Sequence, residues 1–356
     1  MGKAVVKKRL GRIRSWPVEP FELLAWSSAL GAMVFLQFQG MRMDWRTFDY
    51  ILSPLWRFFP KALLAGVLSQ ALYRWLTRSD VRGYLRGIVS WSWFGMWIRL
   101  WAASMIMTYG YFWIKVTVPL VNERLWDHLL WRFDVFFHLG FSPSVLAVEL
   151  FDGSSLLTAM DVWYGIWVTS VFYVMAFFLA ARDELLRRGF MLSCVLLWTL
   201  GAWLYLAFPA VGPCYVFPDV WQGVREWLPS SQGAQATLWE NYQRILAGKS
   251  GVLRSFNPTR GVAAMPSLHV AAHWLFALWA RRSARPLFMP FAVATLLTLI
   301  GSVLTGWHYA LDGYLGMLLA WLCFRLAIAF DRSPQAGVRN DERAAATTQT
   351  SSENGA

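Results

Sequence analysis

The sequence predicts an all-α protein, a polytopic bundle of about eight transmembrane helices, and three observations carry that expectation. Of the 356 residues 57% are hydrophobic and only 15% charged, whereas a soluble domain carries about 25% charged residues. Apolar runs of about 20 residues, the length needed to cross a bilayer, recur along most of the chain. Short basic loops separate them, the pattern of a helical membrane protein. The net charge is +12 and the pI about 9.9. In a soluble protein that balance would suggest nucleic acid. Here the excess sits in loops, where it orients the spans and meets anionic lipid, so the membrane is the expected partner and nucleic acid is not. The many tryptophans and tyrosines near span ends read as interfacial anchors rather than a base-stacking surface.

Residues 1–20 form a basic cytoplasmic arm with Lys3, Lys7, Lys8, Arg9, Arg12 and Arg14. No small-residue cleavage site follows, so the first span reads as an uncleaved anchor. Spans are expected at 21–38, 55–76 and 93–118, making residues 21–120 an N-terminal transmembrane unit. Residues 39–52 read as a loop, and Arg99 and Lys115 as cations snorkelling from the third span. The segment 121–157 alternates apolar and polar residues at helical spacing, as an interfacial amphipathic helix does. Residues 158–330 form the expected catalytic core, with spans at 161–181, 190–208, 266–280, 287–305 and 312–330. Within it lies a loop, 209–265, of a length usually kept for function, with a short helix near 234–247. The tail, 331–356, has a disordered composition.

Eight spans place both termini on one side. The basic arm, the 74–86 loop, Arg182, Arg187 and Arg188, the turn RRSAR and Arg332 fall on that side too, which marks it as cytoplasmic. The 209–265 loop, His269 and His308 then face the other side, near the membrane surface. Cys194, Cys214 and Cys323 are far apart and form neither a disulfide framework nor a CxxC site.

Chemistry concentrates between Asn257 and Asp312. His308 and Asp312 are four apart, so on a helix they share a face and can hydrogen-bond. A carboxylate behind an imidazole fixes its tautomer and raises its basicity. His269 follows Pro266 and Ser267, and proline suits the first turn of a helix, whose free N–H groups attract anions. Two histidines beside an anion cradle point to phosphoryl chemistry.

PSLH, an apolar span and HYALD together resemble the paired histidine motifs, Pro-Ser-Gly-His and His-x-x-x-Asp, of the phosphatidic acid phosphatase type 2 superfamily. The PSLH variant looks more like that superfamily's inositol phosphorylceramide synthase branch. FPAVGPCYVFP and WDHLLWRFDVFFHLGFSPS also resemble segments of its bacterial members. The resemblance covers roughly residues 122–330. It implies a six-helix core, a bacterial inner-membrane enzyme, and a phosphohistidine formed on His308, with Asp312 orienting that ring and His269 as general acid. It further implies phosphate contacts from Ser267 and the Leu268 N–H, and it implies neither cofactor nor metal.

The chain departs from the pattern in two places. Phosphatase members carry an arginine six residues before the third-motif histidine, where Ser302 stands here, and a Lys-x6-Arg-Pro motif that has no match. Losing two cations disfavours a dianionic phosphomonoester and favours a phosphodiester. Arg254, Arg260 and Lys115 remain to supply charge, and Arg260, just before the motif helix, is the preferred clamp.

The expected activity is transfer of a phospho-head group, phosphoinositol by resemblance, from a phospholipid donor to a lipid or polyol acceptor in lipid (sphingolipid) metabolism. The alternatives are a lipid phosphate or polyprenyl diphosphate phosphatase and, from another class, a transporter whose polar span residues line a pathway. His269, His273, His308 and Asp312 have the spacing of a four-ligand metal site, a rival reading, although His273 reads better as a packed histidine behind His269. His128 and His138 read as interfacial, and Asp127, Asp134 and Asp161 as solvated or paired with Arg124 and Arg132.

Overall fold

The computed structural model describes residues 18–40, 45–247 and 256–331. The basic arm falls almost wholly outside these, as do Arg254 and nearly all of the tail. Among the described residues the chain forms α-helices and short 3-10 turns, and no strand.

The N-terminal unit comprises α1 (Pro20–Phe38), α2 (Trp45–Leu76), α3 (Val81–Ile88) and α4 (Trp91–Val121). Pro20 opens α1, and Glu22 reaches back to the Glu19 N–H at 2.8 Å, closing the first turn. Helix α2 begins inside the segment expected to be a loop and continues through Pro54 and Pro60, as membrane helices tolerate when neighbours re-satisfy the freed carbonyls. Leu23, Trp26, Leu30 and Met33 of α1, with Leu64, Leu68 and Leu72 of α2, are exposed at helical spacing and form the lipid-facing stripes.

Two expectations for α4 are corrected. Trp93, Trp97 and Trp101 are not interfacial anchors but a buried stack at i, i+4 spacing, with ring centroids 5.8 and 6.5 Å apart. Arg99 does not snorkel alone; it bonds both carboxylate oxygens of Glu22 on α1, its Nε at 2.6 Å from Oε1.

Next come α5 (Asp127–Phe137) and α6 (Pro143–Phe151), where the amphipathic segment was expected. The polarity of α5 is inverted relative to a soluble surface helix. Phe133, Phe136 and Phe137 point out, while Asp127 and Asp134 are buried against the protein. Helices α7 (Ser155–Gly165) and α8 (Trp167–Leu179) replace one expected span with a pair bent by 51°. Helix α9 (Glu184–Ala207) follows, its first turn capped by Asp183.

The long loop carries α10 (Pro213–Val216), a 3-10 stretch (Pro218–Trp227) and α11 (Pro229–Ala247), a longer helix than expected. The last three helices are α12 (Leu268–Ser283), α13 (Phe288–Leu304) and α14 (Ala310–Asp331). Pro266 is not in the first turn of α12. Ser267 is the N-cap, its hydroxyl accepting from the Val270 N–H at 3.5 Å, so the helix starts one residue beyond it.

Among the described residues five helices are long and apolar enough to cross a membrane, namely α1, α2, α9, α13 and α14, or six if the α7–α8 pair is one span. Helices α4 and α12 stand where spans were expected but are mostly enclosed by other helices, α4 between α1 and α9 and α12 among α9, α13 and α14. Enclosure relaxes the demand for an apolar exterior, which lets α4 carry Arg99, Lys115 and many aromatic residues. A close backbone approach is made at Gly316 of α14, where a Cβ would meet the Ser267 carbonyl oxygen at 2.4 Å. Only glycine lets the start of α12 lie against α14.

Candidate functional site

At one end of the bundle the start of α12, the α13–α14 turn, the last turn of α7 and the second half of α4 converge. The turn is shaped locally. Helix α13 ends at Leu304, and Gly306 takes φ +74°, a left-handed conformation that releases the chain from the helix. A Cβ at Gly306 would also meet Trp221 at 2.8 Å and Cys214 at 2.9 Å. The long loop grips this turn. Trp221 Nε1 donates to the Leu304 carbonyl at 2.7 Å, Gln235 Nε2 to that of Thr305 at 2.7 Å, and the Cys214 N–H to that of Gly306 at 2.9 Å. The helices of the long loop thus hold the residues around His308 from outside.

Three buried aspartates complete the frame. Asp134 accepts the Ala310 and Leu311 N–H groups, both at 2.8 Å, and so caps the first turn of α14 from α5. Asp127 accepts the Val211 and Gly212 N–H groups at 3.0 and 2.9 Å and the Tyr309 hydroxyl at 3.0 Å. Asp161 does the same for Ser230 and Ser231, both at 2.8 Å, at the start of α11. The expectation that these residues are solvated or paired with Arg124 and Arg132 is therefore corrected, because their partners are backbone amides. Burial pushes the Asp127 and Asp134 carboxyls up, Asp134 to about 6, against the opposing pull of the bound N–H groups.

The frame brings the two motif histidines together. His269 Nδ1 and His308 Nε2 are 2.9 Å apart and hydrogen-bonded, with ring centroids at 5.1 Å. Asp312 stands behind, its Oδ2 3.4 Å from His308 Nδ1 and 3.0 Å from the Tyr309 N–H, which it caps as the third residue of α14. Asp312 Oδ1 is buried without a hydrogen-bond partner and the His308–Asp312 contact is long, a looseness common in unliganded catalytic pairs. With a proton on His308 Nδ1 facing Asp312, Nε2 presents its lone pair and His269 Nδ1 is the donor between the rings. Burial, reinforced by the Lys115 charge, pushes the His308 imidazole down to about 3, so it is neutral at ordinary pH. A neutral imidazole with an unprotonated Nε2 and a carboxylate behind it can act as a nucleophile once the His269 hydrogen bond to that nitrogen opens.

Ser267 is fully buried and donates its N–H to the Asp312 carbonyl at 2.9 Å, which couples the two motifs directly. Leu268 opens α12, its side chain against α9 at Gly201. His273 lies one turn on, its Nδ1 3.0 Å from the His269 carbonyl oxygen and its Nε2 3.5 Å from Ser170 Oγ. That ring is turned away from the pair, and among the described residues no three His, Cys, Asp or Glu side chains gather as a metal site. His138 bonds the Asp134 carbonyl at 2.6 Å and Tyr314 at 3.0 Å, while His128 is exposed beside Phe217.

The cations are arranged otherwise than expected. Arg260 is exposed; its backbone is pinned by Asn257 and Asn241, and no contact joins its guanidinium to either imidazole among the described residues. Arg254 lies outside the described residues. Lys115, ranked behind both, is half-buried on α4 with its ammonium 5.8 Å from the Tyr111 and Tyr205 rings. Its charge bears on both His269 and His308, and among the described residues no carboxylate pairs with it. Tyr164, which the sequence gave no reason to single out among the aromatics of its helix, places its hydroxyl against His269 Nδ1.

A model of one protein family, described as the PAP2 superfamily, matches residues 128–326, 199 of the 356 residues. No curated protein and no solved structure matches the chain. With more than half its length matched, the chain belongs to the PAP2 superfamily, whose members are lipid phosphatases and phosphotransferases, and it is a membrane enzyme of that kind.

Proposed function

We propose that this enzyme transfers a phospho-head group from a phospholipid to a lipid or polyol alcohol through a phosphohistidine on His308. The observation that carries the reading is the direct apposition of His308 Nε2 and His269 Nδ1, with Asp312 behind the first ring. In-line displacement needs a nucleophile and an acid on opposite sides of one phosphorus, and this axis supplies both once a phosphoryl group parts the rings. At 2.9 Å no phosphorus fits between the nitrogens, so binding has to open the pair. His308 attacks, Asp312 steadies the imidazolium-like ring that results, and His269 protonates the leaving oxygen. The same His269 then takes the proton of the incoming alcohol.

Charge compensation favours a phosphodiester. Lys115 brings one ammonium toward the pair, matching the single negative charge of a phosphodiester better than the two of a phosphomonoester. Ser267 and the Leu268 N–H, at the start of α12, are the proposed contacts for phosphate oxygens. Arg260, and Arg254 near it in sequence, are proposed to meet the head group at the rim. The inositol phosphorylceramide synthase-like motifs support phosphoinositol as that head group.

The site belongs, in this reading, to the extracytoplasmic side of a bacterial inner membrane, both termini being cytoplasmic. The basic residues Arg78, Arg82, Arg182, Arg281, Arg282 and Arg285 cluster at the helix ends opposite those that carry His269 and His308, which supports that orientation.

The test uses purified protein in vesicles of two distinguishable phospholipids, with and without an added alcohol acceptor. Head-group exchange that depends on the acceptor is expected. Rapid release of inorganic phosphate from phosphatidate, unaffected by acceptor, would instead make the enzyme a phosphatase.

A further inference from the structure

His269 Nδ1 has two partners for one ring position. His308 Nε2 lies 2.9 Å from it, and the Tyr164 hydroxyl is within hydrogen-bond reach of the same atom. Tyr164 comes from the last turn of α7 and is buried. Its ring sits edge-on to His269, centroids 5.2 Å apart, and stacks on Trp307 at 6.3 Å. Trp307 in turn donates Nε1–H to Ser231 Oγ at 3.3 Å. The phenol is thus fixed from behind while its hydroxyl proton remains free to rotate. A hydroxyl both donates and accepts. It can therefore serve a ring nitrogen that alternates between protonated and bare, which an ammonium or a carboxylate cannot.

We infer that Tyr164 is a positioning residue for His269, keeping Nδ1 on the reaction axis while His308 is covalently occupied. The inference rests on the phosphohistidine reading above. In the first half-reaction the His308 Nε2 lone pair forms the N–P bond as the P–O bond to the leaving group breaks. Burial, with His308 and Lys115 beside it, holds the His269 ring neutral before substrate binds. The ring takes up a second proton as the anionic phosphodiester enters, gives its Nδ1 proton to the leaving oxygen and becomes a neutral ring protonated on Nε2. Nδ1 is then bare, and its neighbour on His308 is bonded to phosphorus. Tyr164 donates to Nδ1 through this interval. In the second half-reaction the acceptor oxygen bonds phosphorus, the N–P bond breaks, and the acceptor proton passes to Nδ1, restoring the starting state.

The other groups facing His269 are committed elsewhere. His273 addresses the His269 carbonyl oxygen at 3.0 Å, Lys115 lies over its two tyrosines, and Asp312 stands on the far side of His308.

Tyr164→Phe keeps the ring and its stacking and removes the hydroxyl. The full-length protein is assayed in phosphatidylcholine vesicles holding an equal mixture of phosphatidate, phosphatidylglycerol and phosphatidylinositol, each radiolabelled on phosphorus. The expected result is a kcat lower by about tenfold, part of the whole worth of a general acid–base. KM should move less than about twofold, and the steady-state level of phosphoenzyme should rise because its breakdown slows. Wild-type kcat and phosphoenzyme level overturn the inference, as does a loss confined to KM. If the phenylalanine protein does not fold, Tyr164→4-fluorophenylalanine, which refills the space without donating, takes its place with the same expected results. Absence of any phosphoenzyme in the wild type is a different outcome: it overturns the phosphohistidine reading itself.

Discussion

The helices ahead of the family-matched region and those within it meet their surroundings differently. In the spans of α1 and α2 only 22% of the residues are buried, against 61% in α9. The first two helices therefore act as a lipid-facing flank, tied to the rest by Glu22–Arg99 and by Glu19–Arg188. The matched region supplies both imidazoles, the carboxylate and the clamps that hold them. Helix α4 breaks this division. It precedes the matched residues 128–326, is largely enclosed, and sends Lys115 toward the imidazole pair. Chemistry here is drawn from both parts of the chain, and so is lipid contact, since α13 and α14 within the matched region are only 33% buried.

That comparison can be broken most forcefully at Lys115. Lys115→Met should lower kcat/KM about a hundredfold, the usual cost of losing one preorganised charge. Arg260→Ala, by contrast, should cost less than about threefold, as a rim charge does. Steady-state assays of the two variants in vesicles decide it; the reverse ranking would return the clamp to the loop and make α4 purely structural.

A smaller effect sharpens the role of the aspartate clamps. Asp134→Asn exchanges one of two accepting oxygens for an N–H donor facing the start of α14, and should cost about 1–3 kcal/mol of stability. Thermal unfolding in detergent reports that loss, and residual activity should fall because the His308 turn loosens. Unchanged stability would mean that α14 does not need its external cap. The least effect on turnover belongs to the flank. Glu22→Gln weakens a largely buried ion pair remote from the imidazoles and should cost about 1–3 kcal/mol of stability, with kcat unaltered.

Much of this fold was legible in the chain because apolar length is a direct statement about bilayers. The helices α1, α13 and α14 lie within two residues of their expected positions, and α9 starts six residues earlier than expected, at Glu184. The reading of α2 slipped because Pro54 and Pro60 look like boundaries, and a membrane helix can absorb them. His269, His308 and Asp312 were visible as motifs, since a histidine or carboxylate at the end of an apolar run has few bland explanations. Asp127, Asp134 and Asp161 were not interpretable in the same way. Their partners are backbone amides 84, 176 and 69 residues away, and a backbone N–H leaves no mark in a sequence. Tyr164 was hidden for a related reason, as one aromatic among several on an apolar helix. The surroundings of Lys115 were not legible, because only packing shows that its helix is enclosed.

The central claim is that His308 carries the phosphoryl group between donor and acceptor. Its most direct test is to quench the enzyme during turnover of a phosphorus-labelled phospholipid, under alkaline conditions that preserve phosphohistidine, and to map the label by mass spectrometry. The account predicts label on His308, lost on acid treatment and absent from His308→Gln, which should also lose turnover by about 10⁴-fold or more. Full turnover with no label on any histidine, or label that persists in His308→Gln, would contradict it.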